Sequence, residues 1–388
     1  AIRFLVEDLQ LPLTDVIQLG GHSNARTHRL GTHAPIGWTM IQALRSKLEQ
    51  SPHVRFEYGA EVTELITEEE GNMRVIKGVT YQNSAQEEIT HLSDSVVLAT
   101  GGMAHSTAED GLFAEFAPEL SGLATSSGNQ ADGKGMAIAR QVGAELVGMK
   151  HIQLHPTGLV NPKEPDALSK ILGPETLRGV GGILLLKNGK RFVNELARRG
   201  HVAGEIRAMG DVLGHLESGR EQRTAHVVLN EEAMNAFSPK LFNFYVGKGI
   251  FKAYSNAQEL CSAEGIDCAE IAKTFTTYAS NAEGIPDEFG KVHFPVKFTM
   301  SEPLWTAQIT PVIHYTMGGI KVNTQTEVIG SNGLVMQNLF AAGECTGGVH
   351  GGDRLAGNSL LECVVMGRAA GKSATTPTLK STTQKTEL

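Results

Sequence analysis

A few short stretches of this chain carry side chains able to hold a small anion and move a proton. HPTG (His155–Gly158) sets a histidine beside a proline that fixes the local turn. Glu175-Thr-Leu-Arg178 spaces a carboxylate and a guanidinium three residues apart. Asn194-Glu195-Leu-Ala-Arg198-Arg199 closes an apolar run with two arginines, His314 stands before Thr316-Met-Gly-Gly, and Arg354 lies in a glycine-rich loop. Each has a plain structural account: a histidine satisfied in the core, a local salt bridge between Glu175 and Arg178, a solvated strand end at Arg198 and Arg199. Two arginines and two histidines converging with one carboxylate suit a small dicarboxylate, because a guanidinium grips a carboxylate with two parallel hydrogen bonds. Spacing alone does not bring them together.

The elements that must position these groups centre on residues 341–368. Leu339–Ala342 reads as a short apolar strand, and Gly343–Gly357 as a glycine-rich loop with Glu344, His350, Asp353 and Arg354. Asn358 opens a helix with apolar residues at helical spacing. Strand, glycine loop and helix bring backbone amides close to a cofactor. The plainer alternative is a glycine-rich turn with a surface arginine.

Upstream, residues 1–13 read as the end of a helix stopping at Leu11-Pro12, and Gly20–Arg29 as a polar, basic loop. A helix runs from Pro35 to about Glu49 with Trp38, Ile41, Leu44 and Leu48 on one face. Val54–Tyr58, Glu61–Thr67, Met73–Tyr81 and Glu88–Leu92 form a β-meander, with turns at Glu70-Gly71-Asn72 and Asn83-Ser84. Ser95–Ala99 is a buried strand ending at Thr100-Gly101-Gly102; Gly133–Val142 is a helix and Glu145–Met149 a strand. A second region starts near His151. It holds a hairpin turning at Asn188-Gly189 and is then mostly helical through Glu283.

With 388 residues, two domains or one large one are expected. The 44 glycines point to many tight turns or close backbone approaches. A net charge of −8 argues against nucleic acid as a partner. Four cysteines without CxxC spacing suit free thiols in a reducing compartment, cytoplasmic or organellar rather than secreted. No apolar run approaches membrane-span length, and the N-terminus shows neither a signal pattern nor an initiating Met. We expect a processed chain or a piece of something longer. Residues 375–388 read as a disordered tail.

The ordered set HPTG, E-x-x-RG, NGKRFVNE, HYTMGGI and AAGE-x-TGGVHG-x-x-RLAGNSLLE resembles the FAD-dependent fumarate reductase and succinate dehydrogenase flavoprotein family. It looks most similar to the soluble single-flavin fumarate reductases. The match runs from Gly20 to about Ala374; Trp38–Glu49 and LATGG at Leu98–Gly102 also fit. The resemblance implies an α/β fold: a Rossmann-like FAD-binding domain (1–149 and 314–374) interrupted by an α+β capping domain (150–313). It implies reduction of fumarate to succinate, with hydride from flavin N5 and a proton from Arg199, which Glu175 and Arg178 restore. His155, Glu175, His314 and Arg354 match the substrate-binding set. Glu344 matches an acidic residue near the flavin ribityl chain; Asn358, Ser359 and Leu360 match the helix start facing its pyrimidine ring. Gly101, Gly102 and, more loosely, Asp132 match further FAD contacts.

The chain departs from that pattern in several places. No GxGxxG follows any strand, so the loop for the ADP half of FAD is missing, and we expect another segment to complete the site. Pro174 stands where the family often has Thr, Gly200 where it often has Asp, and the loop from His155 to Glu175 is longer than in some relatives. No CxxCH haem motif occurs, so electrons must reach the flavin from an outside donor. The alternatives are a related flavoenzyme acting on aspartate, urocanate or a ketosteroid, and a truncated flavoprotein that turns nothing over.

Overall fold

The computed structural model describes residues 1–31, 34–71, 73–105, 111–213 and 221–375. The expected tail from residue 376 onward, Asn72 of the expected turn and residues 214–220 of the expected helical region lie outside them.

Two sheets organise the described residues. In the first, Leu304–Thr316 is central, between Arg223–Asn230 and Ile152–Leu159, with Ile183–Leu185 beyond the former. The Leu304–Thr316 strand is buried along most of its length, as expected of a strand covered on both faces. Its pairing with Ile152–Leu159 is irregular between Thr310↔Gly158 and Val312↔His155. Pro156 and Pro311 both fall inside that irregular stretch. Neither has an N–H to give a ladder, so regular pairing breaks there. The helices Ala257–Glu264 and Cys268–Ala282 cover this sheet; Leu229, Leu260, Ile271, Phe275 and Leu304 share its core.

In the second sheet Val335–Ala341 runs parallel to Val96–Leu98 and to Met73–Gln82. Met73–Gln82 in turn pairs antiparallel with Glu61–Glu70 and Glu88–Leu92, giving the expected meander. The Lys134–Gln141 and Asn358–Ala374 helices pack on this sheet. Its core includes Leu65, Ile76, Leu98, Met136, Leu339 and Ala341.

Several expectations are corrected. Val54–Tyr58 alternates like a strand but forms none; Val54, Phe56 and Tyr58 are exposed. The Ile36–Glu49 helix buries Met40, while Trp38, Ile41 and Leu48 face outward. Asn188-Gly189 makes a tight turn, with Gly189 at φ 79°, but Ile183–Leu185 pairs with Arg223–Asn230 rather than folding back on residues 190–195. Arg223–Asn230 is itself a strand within the stretch read as mostly helical. Residues 4–8 form a π-helical turn.

Candidate active site

The irregular pairing of the two central strands brings the histidines together. His155 is buried and His314 partly so, their rings edge-on with centroids 4.9 Å apart. His155 Nδ1 lies 3.0 Å from Thr157 Oγ1, and His314 Nδ1 lies 2.8 Å from Ser126 Oγ. His155 Nε2 has no hydrogen-bond partner among the described residues. Burial, then the charge of Arg199, pushes both pKa values well below the usual histidine value, so both rings are neutral at pH 7.

The short Thr176–Gly179 helix and the start of the Arg199–Met209 helix build the second part. Arg199 Nε donates to Glu175 Oε2, and Arg178 Nη2 lies 3.5 Å from the same oxygen. Arg178 Nη1 donates to the carbonyl of Glu195. Burial raises the Glu175 pKa, but Arg178 and Arg199 outweigh it and the net shift is downward. Glu175 is therefore an ionised carboxylate between two guanidinium groups. Its Oε1 faces Gly20, where a Cβ would sit 2.6 Å away, so the loop at Gly20 must be glycine to close over the pair.

Gln153 completes the bridge and was not singled out in the sequence. Its Oε1 accepts from Arg199 Nη1 at 3.0 Å; its Nε2 donates to Asp353 Oδ1 at 2.8 Å and to the carbonyl of Arg354 at 2.6 Å. Gln153 lies two residues before His155 on one strand, the spacing that puts side chains on one face. That alternation was the available signal. Tyr315 was also missed. The Arg354 guanidinium sits 4.2 Å from the centre of its ring, and the Tyr315 hydroxyl donates to Glu362 at 2.5 Å. Arg354 is buried, joins no ion pair among the described residues, and its Nε has no partner. Burial, then the charge of Arg199, lowers its pKa to about 10. All six predicted substrate and proton-handling residues thus fall in one connected neighbourhood.

The predicted cofactor residues flank it. Glu344 accepts from the Thr316 N–H at 3.0 Å, and a Cβ on Gly102 would meet Glu344 Oε1 at 2.4 Å. Burial raises the Glu344 carboxyl to about 7. Gly101 adopts φ 76°, with open space where its Cβ would stand. Asp132 accepts from the Lys134 N–H at 3.0 Å, beside Gly133, whose N–H reaches the Gly102 carbonyl. The helix beginning at Asn358, with Ser359 and Leu360 in its first turn, follows Gly357 at φ 82° and has no side-chain cap. Its start lines a largely apolar cavity of about 250 Å³ with His22, Arg26 and His28; neither His22 ring nitrogen makes a well-formed hydrogen bond among the described residues.

The FAD binding domain family matches residues 7–360. The chain belongs to this family. FAD is the cofactor of this FAD-binding flavoprotein, and the uncapped helix start, the glycine backbone at 101–102 and the His22 ring nitrogens fit a flavin. It is 37% identical over 388 residues to "Fumarate reductase" of Schizosaccharomyces pombe, covering 98% of this chain and 72% of the relative. It is 35% identical over 385 residues to "Fumarate reductase 1" of Saccharomyces cerevisiae, covering 96% and 78%. Among solved structures it is similar to the open conformation of a flavocytochrome c3 fumarate reductase, at TM-score 0.69 and 29% identity, covering 96% of this chain and 61% of that one. The chain therefore spans less than two thirds of the flavocytochrome. No helix among the described residues is long and apolar enough to cross a membrane.

Proposed function

We propose that this flavoprotein reduces a small unsaturated dicarboxylate, fumarate, to succinate. The observation that carries the reading is a buried cluster in which Arg178 and Arg199 pair with one carboxylate, Glu175, while Arg354 beside them joins no ion pair among the described residues. Flavin, when bound, supplies the hydride. Arg354 and the neutral His155 and His314 hold the carboxylates; positive charge fixed there stabilises the negative charge that grows on the substrate. Arg199 gives the proton. Free arginine is a poor acid, with a pKa above about 12, so this works only where the accepting carbon is strongly basic and the guanidinium is restored quickly. Glu175, ionised at rest, bonded to Arg199 and flanked by Arg178, is placed to relay a proton: it takes one from the Arg178 side and passes it to Arg199.

We read 1–149 and 314–374 as the flavin-binding part and 150–313 as a cap over it. We also propose that a segment beyond this sequence holds the ADP half of FAD. Two observations support that. No GxGxxG occurs, and the edge strand Val96–Leu98 adjoins exposed Val97, Leu361 and Val365. The purified chain is expected to retain little FAD; stoichiometric yellow absorbance contradicts the proposal.

The deciding assay mixes the chain with reduced viologen and fumarate, with and without added FAD, beside a panel of aspartate, urocanate and a ketosteroid. Turnover of fumarate alone supports the reading; turnover of another member replaces it. Arg199→Lys keeps the charge but not the planar geometry. Its kcat should fall by about 10²–10⁴-fold. Near-wild-type turnover with normal flavin content removes Arg199 from the donor role.

A further inference from the structure

The helix that Arg199 opens begins with a defect. Arg198, its N-cap, makes no side-chain bond to the first turn, and Gly200 has no side chain to make one. An uncapped helix start carries free amides and partial positive charge. Asp353, from the glycine-rich loop before Asn358, supplies a carboxylate there. A Cβ on Gly200 would stand 3.4 Å from Asp353 Oδ2 and 4.0 Å from Oδ1, with nothing else as near.

The same carboxylate acts on Gln153. An amide can present either its oxygen or its nitrogen to a neighbour, and the neighbours decide which. Gln153 Nε2 is claimed by two acceptors, Asp353 Oδ1 at 2.8 Å and the Arg354 carbonyl at 2.6 Å. Only Oε1 is left for the Arg199 guanidinium, 3.0 Å away. Without the Asp353 acceptor the amide loses one of the two contacts that hold its oxygen toward Arg199.

We propose that Asp353 is a positioning residue for Arg199: through Gln153 it turns an acceptor toward the guanidinium, and it places negative charge at the start of the helix that Arg199 opens. The kinetic half rests on reading Arg199 as the proton donor; the helix half does not. Because Gly200 points at Asp353 and lies at negative φ, a carboxylate moved to position 200 can do the same work from the other side.

The test uses the full chain supplied with FAD. Asp353→Ala, which removes the acceptor, should lower kcat by about tenfold while KM for fumarate moves little, the split expected when a transition-state contact is disturbed and substrate binding is not. Adding Gly200→Asp to that variant should restore most of the loss. Gly200→Asp alone sets two carboxylates side by side and should lower kcat. Hydrogen exchange gives a readout independent of turnover: the amides just after Arg199 should exchange faster in Asp353→Ala and slow again in the double variant. An Asp353→Ala variant unchanged in both measurements overturns the proposal, and so does a loss that Gly200→Asp does not repair. If the wild-type chain reduces no fumarate, the proton-donor reading fails, while the exchange result still decides whether Asp353 supports the helix.

Discussion

Two buried charge clusters lie next to each other in this protein, and they are built on opposite rules. In the first, Arg191 forms a two-bond pair with Glu195 at 2.8 and 2.9 Å and reaches Asp287 at 2.6 Å. Lys291 donates to Glu195 at 2.9 Å and to the Tyr278 hydroxyl at 2.9 Å. Two cations meet two carboxylates, and none of these side-chain atoms is left without a partner. The second cluster, around Arg199, adjoins it through the bond from Arg178 to the Glu195 carbonyl. There His155 Nε2, Arg178 Nε and Arg354 Nε have no hydrogen-bond partner among the described residues, and Arg178 Nη2 makes only its 3.5 Å ion pair with Glu175. A buried polar atom without a partner is costly, so a group of them in one neighbourhood marks a place meant for a ligand. The closed cluster ties Arg191, Glu195, Asp287 and Lys291 together; the open one is the part that we propose holds the substrate.

The largest expected effect breaks the closed cluster. Glu195→Gln leaves Arg191 and Lys291 buried with one carboxylate between them. Removing one partner of such a set costs about 3–5 kcal/mol. Urea denaturation should show this as a lower midpoint at unchanged slope. A variant as stable as wild type removes the distinction between the clusters.

The next effect sharpens the comparison from the open side. Succinate at about 100 times its Kd should raise stability by about 2.7 kcal/mol, because it binds the folded form alone. Arg354→Gln should abolish that gain without destabilising the free protein, since its buried guanidinium pairs with no carboxylate among the described residues. Loss of stability in the free variant, with the succinate gain intact, makes Arg354 structural. Thermal melts with and without succinate measure both.

How much of this was readable in sequence differs between the two parts. The meander and the strand–loop–helix at residues 335–374 follow from local patterns: alternation, turn residues and helical spacing. The pairing of Ile152–Leu159 with Leu304–Thr316 does not, because strands so far apart in sequence leave no local trace of their register. That register, broken in the stretch that holds Pro156 and Pro311, brings His155 to His314. A further break between Ile313 and Tyr315 lets neighbouring His314 and Tyr315 both serve the site. Alternation misled at Val54–Tyr58, where the pattern is right but no partner strand lies beside it. The outward face of Trp38, Ile41 and Leu48 has the same origin: amphipathic spacing says that a face wants cover, not that cover is present.

The effect that is smallest per step of the variable separates the clusters by the sign of their response to pH. Burial raises Glu195, but Lys291 and Arg191 outweigh it and hold its pKa at about 2, below the ordinary 4.5. Its stabilisation is present above pH 4.5 and is lost as pH falls toward 2. Glu344, beside the open cluster, is shifted the other way, to about 7, chiefly by burial. Between pH 4.5 and 7 the folded protein holds a proton on Glu344 that the unfolded chain has released. Stability therefore falls with rising pH through this window, by up to about 1.4 kcal/mol per pH unit for one group. Glu344→Gln keeps an oxygen for the Thr316 N–H but cannot ionise. In the flavin-free chain it should flatten the slope across that window and match wild type below it. Denaturation midpoints measured across the window decide the matter. An unchanged slope in Glu344→Gln means that the carboxyl is already ionised in the folded chain and that the open cluster supplies enough positive charge to hold it so.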